Sequence, residues 1–154
     1  MRTATFALVL CGWLALACGD STGPEDIFGT YALQTVDGAP SPWLLFAGGS
    51  WTTLEGEQVW VETTQEIVSG SLRLNENATF SATHTWRITA RVFSATGDEI
   101  RTDVTADPRT ESGTLTVTRA SVGLTYANGA VSTASISGRA LTIVTEGVQW
   151  VYER

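Results

Sequence analysis

Phe80–Val92, FSATHTWRITARV, is the stretch whose reading decides the fold. Its even positions are Phe80, Ala82, His84, Trp86, Ile88, Ala90 and Val92, apolar in every case but the histidine. Between them stand Ser81, Thr83, Thr85, Arg87, Thr89 and Arg91, none of them apolar. Only a period of two fits this alternation, and successive side chains of a strand leave on opposite faces. The stretch is therefore a strand with one dry face and one wet face. At about 3.4 Å per residue it runs roughly 40 Å, long enough to predict a bend or bulge.

Working outward, strands of the same kind fill the rest of the chain. Ser71–Leu74 leads through the turn Asn75–Ala78 into the long strand, which makes a hairpin. On the C-terminal side, Gly113–Thr118 alternates Thr with Leu115 and Val117, and Val122, Leu124 and Tyr126 share a face. Asn128-Gly129 is a strong hairpin signal. The strands Val131–Ile136, Leu141–Val144 and Val148–Tyr152 follow, separated by Ser137-Gly138 and Glu146-Gly147. At the other end, Phe28–Val36 is the first strand, with Ile27, Gly29, Tyr31 and Leu33 on one face, and Asp37-Gly38 turns after it. Pro40 and Pro42 cannot donate ladder hydrogen bonds, so Trp43–Phe46 belongs at a sheet edge or after a corner. Two stretches are less regular. Ala47–Glu66 reads as loops at Gly48-Gly49 and Glu55-Gly56-Glu57, and Ser94–Glu111 reads either as a long loop or as a strand end with a ragged hairpin.

The fold class that follows is all-β, with eight or nine antiparallel strands and no helical period after residue 18. Twenty-two threonines after residue 17 suit a pleated surface. Sequential hairpins pair neighbour with neighbour, and such a sheet closes as an up-and-down barrel or folds over as a β-sandwich. The strand count and meander order favour the barrel, whose closure removes exposed edges.

Charge narrows the partners. Nine basic residues, all of them Arg, face sixteen acids for a net charge of −7. That balance argues against nucleic acid and against electrostatic docking on an anionic membrane surface. Both cysteines, Cys11 and Cys18, fall in the first twenty residues, so neither staples the domain.

The N-terminus reads as an address. Arg2 precedes the apolar run Phe6–Ala17, the right length for a signal-peptide core and too short to span a bilayer. The run ends Leu14-Ala15-Leu16-Ala17-Cys18 and resembles the lipobox of bacterial lipoproteins, in which the cysteine becomes the first mature residue and carries lipid. The alternative is an ordinary secretory signal cut after Ala17. Residues 1–17 are then the signal peptide, 18–26 the lipidated Cys18 with a Gly-, Ser- and Pro-containing tether, and 27–154 the barrel domain. The tether reaches roughly 28 Å when extended. The resemblance implies a cell-envelope protein held to its membrane through the N-terminal lipid. Gly19 rather than Asp after the cysteine favours the outer membrane.

With its strands laid out, the chain resembles small bacterial lipocalin-like lipoproteins of the calycin style. The residues that carry the likeness are Gly29–Leu33 with Val36–Pro40, Ser69–Leu74, Ser112–Val117, Ser137–Thr142 and the ending Trp150–Arg154. In lipocalins a Gly-x-Trp motif packs the closed end of the barrel; here Gly29-Thr30-Tyr31 stands there, which puts Tyr31 in the tryptophan's place. The resemblance implies a calyx able to hold an apolar small molecule.

Residues for chemistry are few. His84, the only histidine, lies on the dry face, where a core histidine hydrogen-bonded to a neighbouring strand is the favoured reading over a ligand contact. One histidine without a domain cysteine cannot build a zinc site. No nucleophile–base pair, Gly-x-Ser-x-Gly elbow or phosphate-cradling loop is present, and no cofactor is implied. Asp98, Glu99, Asp103 and Asp107 lack the spacing of a calcium loop. Arg87 and Arg91 belong among surface carboxylates. The aromatic residues stand out: Tyr31, Trp43, Trp51, Trp60, His84, Trp86 and Trp150 are the candidate ligand-binding set. Trp43, Phe46, Trp51 and Trp60 fall in the irregular region and either gate a ligand or plug and stabilise one end of the barrel, while Trp86 and Trp150 point inward by period, core first and pocket wall second. The expected function is an envelope lipoprotein, not an enzyme, whose barrel binds an apolar small molecule. A filled barrel that acts through its surface, as a structural or inhibitor-like module on another envelope protein or an incoming enzyme, is the alternative, with catalysis a third reading; interior volume separates the first two.

Overall fold

The computed structural model describes residues 27–118 and 121–154, and every regular element in them is a strand. In chain order these are β1 (Gly29–Val36), β2 (Ala39–Pro40), β3 (Trp43–Leu54), β4 (Glu57–Asn75), β5 (Thr79–Phe93), β6 (Glu99–Val117), β7 (Ser121–Tyr126), β8 (Val131–Ser137), β9 (Ala140–Thr145) and β10 (Val148–Glu153). The expected signal segment, Cys18 and the expected tether lie outside the described residues.

Each strand from β3 to β10 pairs antiparallel with the next, β10 pairs with β1, and β1 returns to β4 through Gly29↔Leu74 to Ala32↔Ser71. Strands β1 and β4–β10 thus close an eight-stranded up-and-down barrel, with β2 and β3 as additions. The barrel, not the sandwich, is the fold. Tight turns join neighbouring strands: Asp37-Gly38 after β1, Glu55-Gly56 between β3 and β4, and Glu146-Gly147 between β9 and β10 each hold two successive positive φ angles, the twist that two-residue hairpins need.

β5 pairs without interruption from Thr79 to Val92, so the expected irregularity is displaced to its neighbours, at Val68 on β4 and Ile100 on β6. Further bulges fall at Gln34 and Leu45. The one at Gln34 brings Val36 to the inside together with Tyr31. One core cluster gathers inside the barrel: Ile27, Tyr31, Leu72, Leu74, Phe80, Ala82, Leu115, Val122, Leu124, Ala134, Leu141, Ile143 and Tyr152. Every strand from β4 to β10 sends its dry face there, and each large apolar side chain so buried stabilises by about 1.5–3 kcal/mol.

The bulge at Val68 is where the molecule divides. C-terminal to it β4 pairs with β1; N-terminal to it β4 pairs with β3 through Trp43↔Ile67 to Leu54↔Glu57. The Ser41 hydroxyl lies 2.5 Å from the Val68 carbonyl oxygen and 3.2 Å from that of Ile67, which ties the approach to β3 to this switch. Beyond it, β3 and the outer halves of β4, β5 and β6 run on as a four-stranded extension.

Two expectations are corrected here. Gly48-Gly49 is no loop but lies mid-strand in β3, and Glu57–Glu66 is the first half of β4. The Trp60 and Phe46 rings occupy the space a Cβ would need at Gly49 and Gly48, so the glycines serve ring packing across a strand. Of the two readings of Ser94–Glu111, the strand is right: a turn at 94–98 opens β6. Closure also does not remove every edge. Among the described residues, β3 pairs only with β4, and β6 pairs only with β5 from Glu99 to Glu111.

Candidate functional site

The seven candidate residues fall into four places. At the end where the extension leaves the barrel, His84 of β5 and Trp150 of β10 stack at 5.1 Å between ring centroids, and Trp43 of β3 lies 6.3 Å beyond Trp150. His84 Nε2 is 2.7 Å from the Tyr152 hydroxyl, a bond that crosses the barrel interior instead of joining adjacent strands. Gly70, opposite His84 on β4, leaves the room the imidazole fills. Burial pushes the His84 pKa down and holds the Tyr152 hydroxyl far above its ordinary range, so this pair is neutral near pH 7. Trp43, Trp150, His84 and Tyr152 together form an aromatic plug at the mouth.

Tyr31 is at the opposite, closed end. It is 2 % exposed, its hydroxyl donates to the Ile27 carbonyl oxygen at 2.6 Å, and the Arg154 guanidinium lies 5.7 Å from its ring centre. It is a wall of the core and does not reach the mouth. An open groove of about 540 Å³ lies outside this closed end, between Phe28-Gly29 and Arg73–Asn77, and no candidate residue lines it.

The remaining three sit on the extension. Trp51 and Trp60 pair edge-to-face at 5.5 Å on one face, with Trp60 Nε1 donating to Glu62 at 3.4 Å. Trp86 lies on the opposite face under the Arg109 guanidinium, 4.1 Å from its ring centre. The structure thus brings Trp43, His84 and Trp150 together, sets Trp86 on the same face of the sheet beside them, and leaves Tyr31 and Trp51–Trp60 separate.

The arginines of the extension are paired with carboxylates. Arg87 meets Glu66 at 2.7 Å and Arg91 meets Glu99 at 2.6 Å, as expected of surface carboxylates around these arginines. Arg101–Asp103 and Arg109–Asp107 add two more on β6. Thr102 and Arg91 both donate to Glu99, which lowers its pKa. Among the described residues no three His, Cys, Asp or Glu side chains gather as metal ligands.

One feature escaped the sequence reading. Leu44, Phe46, Trp51 and Leu54 of β3 are 52, 52, 57 and 38 % exposed, an apolar rim on an edge strand. The signal for it was present: Trp43–Leu54 contains no charged residue at all. Comparison of the chain with protein-family models, with curated proteins and with solved structures returns no match in any of the three.

Proposed function

We propose that this is a lipid-anchored cell-envelope protein that binds rather than catalyses, and that it works through the outside of a filled, lipocalin-like barrel. The observation that carries the reading is how the barrel's interior is occupied. Tyr31, Phe80 and Tyr152 are buried in it, Phe80 packs edge-to-face on Tyr126 at 5.0 Å, and the His84–Tyr152 bond bridges it below the aromatic plug. Meanwhile β3 turns apolar side chains to solvent. A filled barrel with an apolar edge suits recognition of another protein. The Cys18 lipobox supports anchoring, and Gly19 after it supports the outer membrane.

A second reading keeps the mouth as the site. Trp43 and Trp150 are only half-buried, so an apolar small molecule would lie against their rings. Native mass spectrometry of the full chain taken from its host envelope separates the two. The surface reading expects protein adducts and a small-molecule-free mass. A reproducible lipid-sized adduct, lost in Trp150→Ala, would refute it in favour of the mouth.

A further inference from the structure

We infer that β3 is a self-pairing edge, and that the partner it takes is a second copy of this chain, joined antiparallel through Phe46–Leu54. This deepens the proposed surface role and rests on it for its use, but the pairing itself is read from the strand. The extension has two open rims, and they are built differently. The β6 rim carries Glu99, Arg101, Asp103, Asp107, Arg109 and Glu111, with Pro108 among them. Charges and proline are how proteins keep edge strands from pairing. The β3 rim carries neither, over twelve residues. Its backbone N–H and C=O groups on the outer side have no partner among the described residues.

Charge argues for a copy of the same chain. The protein is strongly acidic, at −7, so two copies repel wherever their charged surfaces meet. At β3 they meet without a charge on either side. Geometry argues for it as well. A two-fold axis perpendicular to a continuous sheet keeps each residue on its own face, so opposed residues must have the same parity. The bulge at Leu45 ends the regular rim at Phe46, which leaves nine residues centred on Ser50. Pairing about Ser50 sets Phe46 opposite Leu54, Ala47 opposite Thr53, Gly48 opposite Thr52, and Trp51 opposite Gly49. An apolar pair thus closes each end of one face, while on the other the tryptophan meets the Trp60 ring that already covers Gly49.

Two variants of the full chain test the register and the interface. Ser50 is exposed, and self-opposed residues in an antiparallel pair have Cα atoms roughly 4.5–5.5 Å apart, inside the span a disulfide bridges. Ser50→Cys in host membranes should form a covalent homodimer under mild oxidation, beyond any seen for the unsubstituted chain. Thr53→Cys should not, because its two copies stand roughly 20 Å apart. In detergent, from about 1 µM to 1 mM, light scattering should show the mass rising to that of two chains. Ser50→Lys, which opposes two ammonium groups on the axis, should move that rise to at least about tenfold higher concentration with unchanged circular dichroism. A single-chain mass throughout, equal crosslinking at positions 50 and 53, an undisturbed Ser50→Lys dimer, or Ser50→Cys linking only to a different protein would each overturn the proposal. None of these bears on whether small molecules occupy the mouth, which native mass spectrometry answers separately.

Discussion

Among the described residues His84, half-buried, carries the side chain whose charge changes near neutral pH, and the sign of its effect follows from its surroundings. Desolvation lowers its pKa in the folded protein below the ordinary value near 6.5. As pH falls below 6.5 the unfolded chain binds a proton that the folded one resists, so His84 withdraws stability on acidification. Its stabilising contribution is complete above the unfolded value and lost as pH falls through the folded one. Urea unfolding at pH 7.5, 6.5 and 5.5 should therefore show a shallower pH slope in His84→Gln than in the parent; equal slopes would contradict the assignment. His84→Phe leaves the buried Tyr152 hydroxyl without its partner and should cost roughly 1–3 kcal/mol at pH 7.5. Glycines divide by what their missing Cβ would strike. At Gly113 it would strike the Thr125 carbonyl oxygen, which is backbone, with the Phe80 ring 2.8 Å away; at Gly123 it would meet the Thr116 side-chain hydroxyl at 2.7 Å. Gly113→Ala should cost roughly 1–3 kcal/mol and Gly123→Ala clearly less, since a hydroxyl rotates and a strand carbonyl does not. Thermal melts of the two variants check the order.

The extension and the barrel differ in how their hydrogen bonds are held. In the barrel each strand is bonded on both sides around a shared core; β3 is bonded on one side only. Hydrogen exchange at the lowest workable concentration should release β3 and the outer half of β6 first, and β7–β10 last. Uniform protection would mean that the extension is part of the same cooperative unit. Arg87–Glu66 adds little to it, because both side chains reach solvent, at 43 and 22 %, and Arg87→Ala should cost no more than about 1 kcal/mol. These elements also explain what the sequence did and did not disclose. β5 was legible because its sequence alternates apolar and polar side chains along its whole length, although from Thr83 to Ala90 both faces are half-buried. The closing hairpins were legible from Asp37-Gly38, Asn128-Gly129 and Glu146-Gly147. β6 was ambiguous because at the rim of an extension neither face is dry, and Thr102–Pro108 alternates charge with small residues as a loop would. Gly48-Gly49 misled because glycine is read as a breaker, whereas here Gly48 makes room for the Phe46 ring and Gly49 for the Trp60 ring, eleven residues away and invisible until the strands pair. The aromatic set was found as residues but not as a site: Trp43, His84 and Trp150 meet only because β1 closes onto β4.

At the scale of the whole molecule, a barrel is a container only if its own side chains leave room. Here Tyr31 lies under Arg154 at the end away from the extension, and Trp150 stands between Trp43 and His84 at the other. Removing the plug is therefore a direct test of whether the fold is a vessel kept shut or a solid support. Trp150→Ala deletes the ring that touches both neighbours and opens space above the His84–Tyr152 bond. A fully buried tryptophan would cost about 3–5 kcal/mol, and half-burial of Trp150 sets the expected loss near the lower end. If the barrel is a solid support, the parent chain gives no signal with a small aromatic dye titrated against tryptophan emission. The variant, with an apolar void at its mouth, should gain saturable binding, since cavities of that kind take up benzene-sized ligands. Binding by the parent at equal affinity would show that the mouth is already open, and the surface role would lose its main support.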